Sequence, residues 1–191
     1  SGVPAQLVRR VCWWLPPVVF PDDEAALQEW IGAVRAGGAG TFVLNDPWQA
    51  ALFPRIGPPL RLWAGPFCNL ANPLALETAA GIGFDGAIVS PELAADDFMK
   101  LPGRSPLPLG VVVGGHWPLC VARAAAPDLR LETPFRSPKG EEAWTTRHGS
   151  LHWVFPNWKI RLVDQVEELR RAGYTWLVHL LEPVPKGAQL K

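Results

Sequence analysis

Three short runs rich in Val, Leu, Ile and Ala each stop abruptly at a polar segment, and this alternation constrains the fold more than any other feature. The runs cover residues 60–64, 86–89 and 109–113. Nearly continuous apolar runs of this length are typical of parallel strands that helices cover on both faces. Ligands bind at the carboxyl ends of such strands. The pattern therefore predicts a β/α fold with its chemistry at the strand ends.

The polar segments supply the candidate site residues, which are Asn69 and Asn72 after the first run, Ser90 and Glu92 after the second, and His116 and Trp117 after the third. Glu92 is the candidate acid–base group, because a carboxylate among apolar neighbours at the mouth of a sheet is suited to proton transfer. His116 is the candidate proton shuttle, since imidazole titrates near neutral pH. The other four residues are candidate substrate contacts.

Several of these residues also have structural explanations. Glu92 could favour the positive end of a helix predicted over residues 93–100, which Ser90 could cap. Asn72 could cap the helix that follows the first run. His116 could satisfy backbone groups around residues 114–115. From the sequence alone, both kinds of explanation stay open.

The ordered set of segments between residues 60 and 119 resembles peptidase family U32, the collagenase-like proteases. In that family an Asn-rich strand end precedes a helix and a Gly-containing turn, a strand then ends in Ser-x-Glu-Leu, and a later strand ends in a segment with Gly and His. The matching segments here contain Asn69, Ser90-Pro91-Glu92-Leu93 and Gly115-His116. The resemblance implies a peptidase-like domain that hydrolyses peptide substrates in a pocket at the strand ends.

The alternation changes after residue 130. Short strand-like runs near residues 130–155 are separated by turn residues, which is typical of a β-meander. An amphipathic segment over residues 162–172 and a last apolar run over 176–181 follow. We therefore expect one α/β domain over residues 1–191, a partial or complete TIM-like β/α barrel with parallel strands and a small β-meander insertion.

The cysteine count separates this chain from some relatives of that family. Members that hydroxylate RNA or a quinone precursor hold an iron–sulfur cluster with four cysteines, whereas this chain has Cys12, Cys68 and Cys120, which are too few and too far apart. We therefore expect no metal and no cofactor. One alternative function is a non-catalytic module that binds substrate or RNA and assists an iron–sulfur hydroxylation half elsewhere in the parent chain. Another is a structural piece that completes a barrel.

The amino-acid composition limits the kinds of partner and the cellular location that we expect. Eighteen basic residues balance 18 acidic ones, so the chain has no net positive charge that would attract nucleic acid. A peptide or small molecule is therefore the favoured partner. No apolar stretch is long enough to cross a bilayer, so we expect no membrane partner and a cytoplasmic location. The chain begins at Ser1 and Gly2 without Met. We expect it to be the C-terminal piece of a longer protein, with the missing N-terminal part as a further partner.

Overall fold

The computed structural model describes residues 4–53 and 59–190. The chain divides into two compact units. Unit 1 is Ser1–Val111 with Glu168–Trp176, and unit 2 is Val112–Glu167 with Leu177–Lys191. The single domain expected from the sequence stays a prediction, because two compact units can belong to one domain or to two.

Strands and helices alternate along most of the described chain. The strands are β1 Cys12–Trp14, β2 Thr41–Leu44, β3 Arg61–Ala64, β4 Gly86–Ile88, β5 Leu109–Gly115, β6 Cys120–Ala122, β7 Phe135–Arg136, β8 Glu142–His148, β9 Leu151–Pro156, β10 Ile160–Arg161 and β11 Tyr174–His179. The helices are α1 Ala5–Val8, α2 Pro21–Ala36, α3 Pro73–Ile82, α4 Ala95–Lys100 and α5 Val166–Ala172. Among residues 4–53 and 59–190, no helix combines the length and the apolar character needed to span a membrane.

The first five strands form a parallel sheet in chain order. Each of β1 to β4 pairs in parallel with the next strand along the chain, and β11 also pairs with β5. This mostly parallel sheet curls as a half-barrel. Because neighbouring parallel strands point the same way, the loops that follow β1 to β4 lie at one edge of the sheet. The predicted parallel β/α architecture is thus confirmed as a half-barrel sheet.

Two stacked indole rings fill part of the core of unit 1. The rings of Trp63 on β3 and Trp176 on β11 are nearly parallel, at 8°, with centroids 3.8 Å apart. Gly86 makes room for this stack, because a Cβ there would lie 2.6 Å from the Trp63 ring. Aromatic pairs bury large apolar areas, so this stack helps to fix β3 against β4 and β11.

Unit 2 contains a separate antiparallel sheet with the strand order β6-β9-β8-β7. Strands β7, β8 and β9 are consecutive neighbours, which confirms the predicted meander. The sheet extends further than predicted, since β6 adds a fourth strand that pairs Cys120 with Val154. That pairing joins residues far apart in sequence, and local spacing carries no signal for it. The short strand β10 pairs antiparallel with the end of β5.

Two buried amide side chains tie together the loops that follow β1 and β2. Asn45 Nδ2 donates to the carbonyl oxygen of Leu15 at 2.7 Å, and Gln49 Nε2 donates to that of Pro16 at 2.8 Å. Gln49 Oε1 accepts from the backbone N–H of Asn45 at 3.0 Å. Both side chains are almost fully buried, at 4% and 0% exposure. Most of their polar atoms are therefore satisfied inside the protein, as buried amides require.

Gly65 leaves the space that the Asn45 amide occupies. Its backbone lies in the extended region, at φ −80°, which any residue adopts. A Cβ at this position would nevertheless overlap Asn45 Oδ1 and come within 2.8 Å of Asn45 Cγ. Oδ1 is buried and has no hydrogen-bond partner among the described residues. The tight contact, and not backbone freedom, explains the glycine that opens the segment after β3.

We expect the substitution Gly65→Ala to lower the free energy of unfolding by about 1–3 kcal/mol, because overpacking a close contact displaces a bonded side chain. Gly81→Ala is the matched control, since a Cβ on Gly81 in α3 meets nothing within 4 Å. The control should raise the free energy of unfolding by about 0.5–1 kcal/mol. Urea denaturation followed by tryptophan fluorescence measures both, and a Gly65→Ala protein as stable as the original chain would contradict this packing.

Candidate functional site

The loops that follow β3 and β4 are joined by a backbone hydrogen bond. The N–H of Ser90 donates to the carbonyl oxygen of Leu70 at 3.1 Å. Asn69 and Asn72 lie on the first of these loops, and Ser90 and Glu92 lie on the second. The structure therefore carries four of the six candidate residues on two adjoining loops at the carboxyl edge of the unit 1 sheet.

Asn69 presents an unused amide at this edge. It ends the short 3-10 turn Pro66–Cys68 and has a left-handed backbone, with φ 52° and ψ 42°. Asn adopts this conformation more readily than most residues. Its side chain is exposed and has no hydrogen-bond partner in the described part of the chain. The amide can therefore both donate and accept hydrogen bonds to a ligand.

Asn72 has the structural role that the sequence left open. Its Oδ1 accepts a hydrogen bond from the backbone N–H of Ala75 at 2.9 Å, and Pro73 follows at the first position of α3. Side-chain capping of this kind satisfies one of the unpaired donors at a helix start. Asn72 is exposed, so capping does not remove it from solvent.

Ser90 and Glu92 form a turn and not a helix start. Ser90 is buried, at 2% exposure, and its Oγ accepts from the backbone N–H of Glu92 at 3.3 Å. The predicted cap by Ser90 is wrong, because α4 begins at Ala95 and has no side-chain cap. Asp96 and Asp97 are the acidic residues of its first turn. Since Glu92 precedes the helix, the helix-end explanation for its charge is wrong too.

Glu92 is the exposed acidic group of the two joined loops. Its carboxylate has no ion-pair or hydrogen-bond partner among residues 4–53 and 59–190. The carboxylate is therefore open to a ligand or to water. It can accept a proton or a hydrogen bond, which are the actions that acid–base chemistry or peptide binding needs.

His116 lies in unit 2, directly after β5, and its ring is buried at 5% exposure. Its Nδ1 lies 3.1 Å from the carbonyl oxygen of Pro156 and 2.9 Å from that of Trp158. Because carbonyl oxygens only accept hydrogen bonds, Nδ1 carries the proton and donates to both. The ring also packs edge-on against Trp144, with centroids 4.9 Å apart. These contacts give His116 a structural role. It bonds the carbonyl groups of residues 156 and 158, whereas the sequence suggested backbone groups around residues 114–115.

Trp117 follows His116 in unit 2 and is half-buried. His148 and His152, whose spacing would suit a metal pair on a helix, lie instead on the paired strands β8 and β9. In the described ranges, no group of three or more His, Cys, Asp or Glu side chains is placed to hold a metal ion.

Cys68 is a protonated thiol at neutral pH. Its Sγ donates to the carbonyl oxygen of Leu44 at 3.2 Å. The pKa of this thiol is raised to about 12, chiefly because the group is buried. A backbone hydrogen bond at Gly65 lowers the pKa in part, and the charge of Asp46 makes a smaller contribution that raises it. The thiolate is the nucleophilic form of cysteine, so Cys68 is not equipped for nucleophilic chemistry.

Unit 2 also holds a charged cavity that the sequence did not indicate. It is lined by side chains from β8 and from the segment 182–186, and its volume is about 450 Å³. At this cavity His148 Nε2 lies 2.9 Å from Glu182 Oε1. The two residues are distant in sequence, and no spacing pattern links them.

Comparison with known proteins adds one distant likeness. No family model and no curated protein matches the sequence. In fold, the chain is similar to a solved structure of the U32 peptidase Mk0906, with a TM-score of 0.40 and 17% sequence identity. The match covers 51% of this chain and 40% of that one, so the chain spans less than half the length of that peptidase. The likeness is one of α/β fold.

We expect the three free thiols to differ in reactivity toward a disulfide reagent such as Ellman's reagent. Cys120 is exposed and should react rapidly in the folded protein at neutral pH. Burial raises the pKa of Cys12 and Cys68, so these two should react only after unfolding, or for Cys68 as the pH approaches 12.

The substitution Cys120→Ser is the control for this measurement, because it should remove the rapid phase and leave the slow phases unchanged. A rapid phase that persists in the Cys120→Ser protein at neutral pH would show that Cys12 or Cys68 is accessible and ionised, contrary to the description above.

Proposed function

We propose that this chain is a peptide-hydrolysing module of the U32 peptidase type, with its site at the carboxyl edge of the unit 1 sheet. The hydrogen bond from Ser90 N–H to the Leu70 carbonyl carries the proposal, because it joins the loops of Asn69 and Glu92. Both side chains are exposed and have no partner within the described residues. The resemblance of the flanking segments to the family's motifs supports a peptide as the ligand.

Each residue has a defined action in this proposal. The Asn69 amide donates to a peptide carbonyl oxygen and accepts from a peptide N–H. Glu92 takes a proton from a water molecule as the water oxygen attacks the peptide carbonyl, and returns a proton to the leaving amine as the C–N bond breaks. The buried side chains of Ser90, Asn45 and Gln49 hold the loops in place.

A second candidate function is peptide binding without cleavage. The buried ring of His116 favours it, because Nδ1 donates to two backbone carbonyls and the residue already has a structural task. Catalysis by His116 and substrate contact by Trp117 stay predictions, as does the RNA-linked hydroxylation role. Because all three cysteines are free, we propose the reducing cytoplasm as the location.

Replacing Glu92 by Gln should abolish hydrolysis of a fluorogenic peptide library, with a loss of about 10²–10⁴-fold, because the general base is removed. The fold should be unaffected, since surface substitutions usually change stability by less than about 0.5 kcal/mol. Glu29→Gln is the matched control, because Glu29 is an exposed carboxylate on α2 outside the two joined loops. Turnover and thermal unfolding are measured on both variants.

Peptide binding is measured in parallel by fluorescence anisotropy. Asn69→Gly should weaken binding while keeping the left-handed backbone, which Gly adopts without cost. Binding without turnover in the original chain would favour the second candidate function. Turnover that is unchanged in the Glu92→Gln protein would remove Glu92 from the mechanism, and an original chain that neither binds nor cleaves any peptide would refute the proposal.

A further inference from the structure

The charged cavity of unit 2 has the properties of a ligand site. We call it the β8 cavity, because Thr146, Arg147 and His148 of β8 line it together with Glu132 and residues 182–186. Its volume of about 450 Å³ lies in the range of small-molecule sites. All of its lining residues belong to unit 2, so it is a different place from the strand-end loops of unit 1.

One wall of the β8 cavity is held by hydrogen bonds among its own side chains. Besides the contact between His148 Nε2 and Glu182, Thr146 Oγ1 lies 3.3 Å from His148 Nε2 and donates to Glu182 Oε1 at 3.4 Å. Thr146 is buried at 7% exposure. Glu182 is therefore already paired, and this wall connects the segment 182–186 to β8.

Three other charged groups of the cavity remain available. The Glu132 carboxylate and the Lys186 ammonium have no hydrogen-bond or ion-pair partner in the part of the chain that the structure describes. Arg147 uses Nε to donate to the carbonyl oxygen of Gly149 at 3.0 Å, and its two terminal nitrogens have no described partner. One free carboxylate and two free cationic groups thus face one small space.

Glu132 is held in an unfavourable backbone conformation at this cavity. Its φ is 54°, and the other non-glycine residue with positive φ in the described chain is Asn69. The left-handed region is disfavoured for a Glu, and such residues cluster at functional sites. The backbone N–H of Glu132 donates to the Thr145 carbonyl oxygen at 2.7 Å, which fixes this conformation.

The remaining wall of the cavity is apolar. Pro183, Val184 and Pro185 lie between the paired Glu182 and the free Lys186 in the lining segment. Proline has little conformational freedom to lose, so this stretch offers a preformed contact surface for an aliphatic side chain. The cavity therefore combines one free carboxylate, two cationic groups and an apolar wall.

We propose that the β8 cavity binds a small zwitterion, namely a free α-amino acid or a dipeptide with an aliphatic side chain. Glu132 receives the α-ammonium group, and Arg147 and Lys186 receive the α-carboxylate. The segment 183–185 contacts the side chain. A dianion or a phosphate would meet the unpaired Glu132 carboxylate and is disfavoured by like charge. This site is independent of the function proposed for unit 1.

The ligand side of the proposal is tested with L-leucine and three probes, using chemical-shift perturbation in NMR titrations of the whole chain. N-acetyl-L-leucine lacks the ammonium group, and L-leucinamide lacks the carboxylate. Each should bind about tenfold or more weakly than L-leucine, because each loses a charge-assisted hydrogen bond. Glycyl-L-leucine distinguishes the two sources of the zwitterion, since tighter binding of the dipeptide identifies it as the ligand and weaker binding identifies the free amino acid.

The protein side is tested with Glu132→Asn, which removes the charge and keeps a residue that accepts a left-handed backbone. This variant should fold at least as stably as the original chain and lose the preference for L-leucine over N-acetyl-L-leucine. Asp128→Asn, an exposed acidic residue of unit 2 outside the cavity, is the matched control. Arg147→Gln should lose the preference for L-leucine over L-leucinamide, with Arg136→Gln as its control.

The expected result is saturable L-leucine binding that the two cavity variants weaken and the two controls leave unchanged. Three results would overturn the proposal: no binding of L-leucine or glycyl-L-leucine at millimolar concentration, equal binding of the probes that lack one charge, or unchanged binding in both cavity variants. Arg147→Gln keeps the test decisive if Glu132→Asn fails to fold. None of these readouts depends on peptide hydrolysis, so failure here leaves the function proposed for unit 1 standing.

Discussion

Hydrogen bonds that tie strand-end loops to one another decide what unit 1 can present to a ligand. Parallel pairing places these loops at one edge of the sheet, but the loops can hold side chains in position for a ligand only if they are rigid. Here buried polar groups supply the rigidity: the side chains of Asn45 and Gln49 hold the loops after β1 and β2, and the backbone N–H of Ser90 joins the next pair. The polar groups left exposed, Asn69 and Glu92, are the ones free to act on something else.

The same division between bonded and unbonded polar groups runs through unit 2. His116 and Thr146 are buried and bonded, and they hold parts of the chain that are distant in sequence. A cavity in this unit is lined by Glu132, Arg147 and Lys186. The charged groups of Glu132 and Lys186 have no described partner, and Arg147 is bonded through Nε alone. In both units, buried polar groups that are mostly hydrogen-bonded hold the chain in place around a few exposed polar groups that have no described partner, and those few residues are the candidates for function.

The local sequence pattern was enough to predict the strands and helices that depend mainly on residues close together in the chain. Continuous apolar runs indicated parallel strands, and the Asn-Pro pair at residues 72–73 indicated a capped helix; both are present. Ser90 was misassigned because a serine can bond the N–H two residues on as easily as it caps a helix, and the sequence does not say which bond forms. The third apolar run was predicted to end at residue 113, whereas β5 continues through Gly114 and Gly115.

Long-range contacts set the limit of prediction from sequence. The pairing of β6 with β9, the contact of His148 with Glu182 and the bonds from His116 to residues 156 and 158 join positions with no periodic relation. They arise from tertiary packing, which one sequence does not reveal. The β8 cavity depends on such contacts, so the sequence did not predict it even though each of its charged residues can be read there.

Hydrogen exchange of individual backbone amides tests the central claim, that the strand-end loops of unit 1 are rigidly joined. The N–H groups of Asn45 and Ser90 donate to Gln49 Oε1 and to the Leu70 carbonyl oxygen, outside the strand ladders. We predict that both exchange as slowly as the amides of β2 and β4, because their bonds open only when the sheet opens. Exchange of either amide at the rate of an unprotected loop would contradict the account.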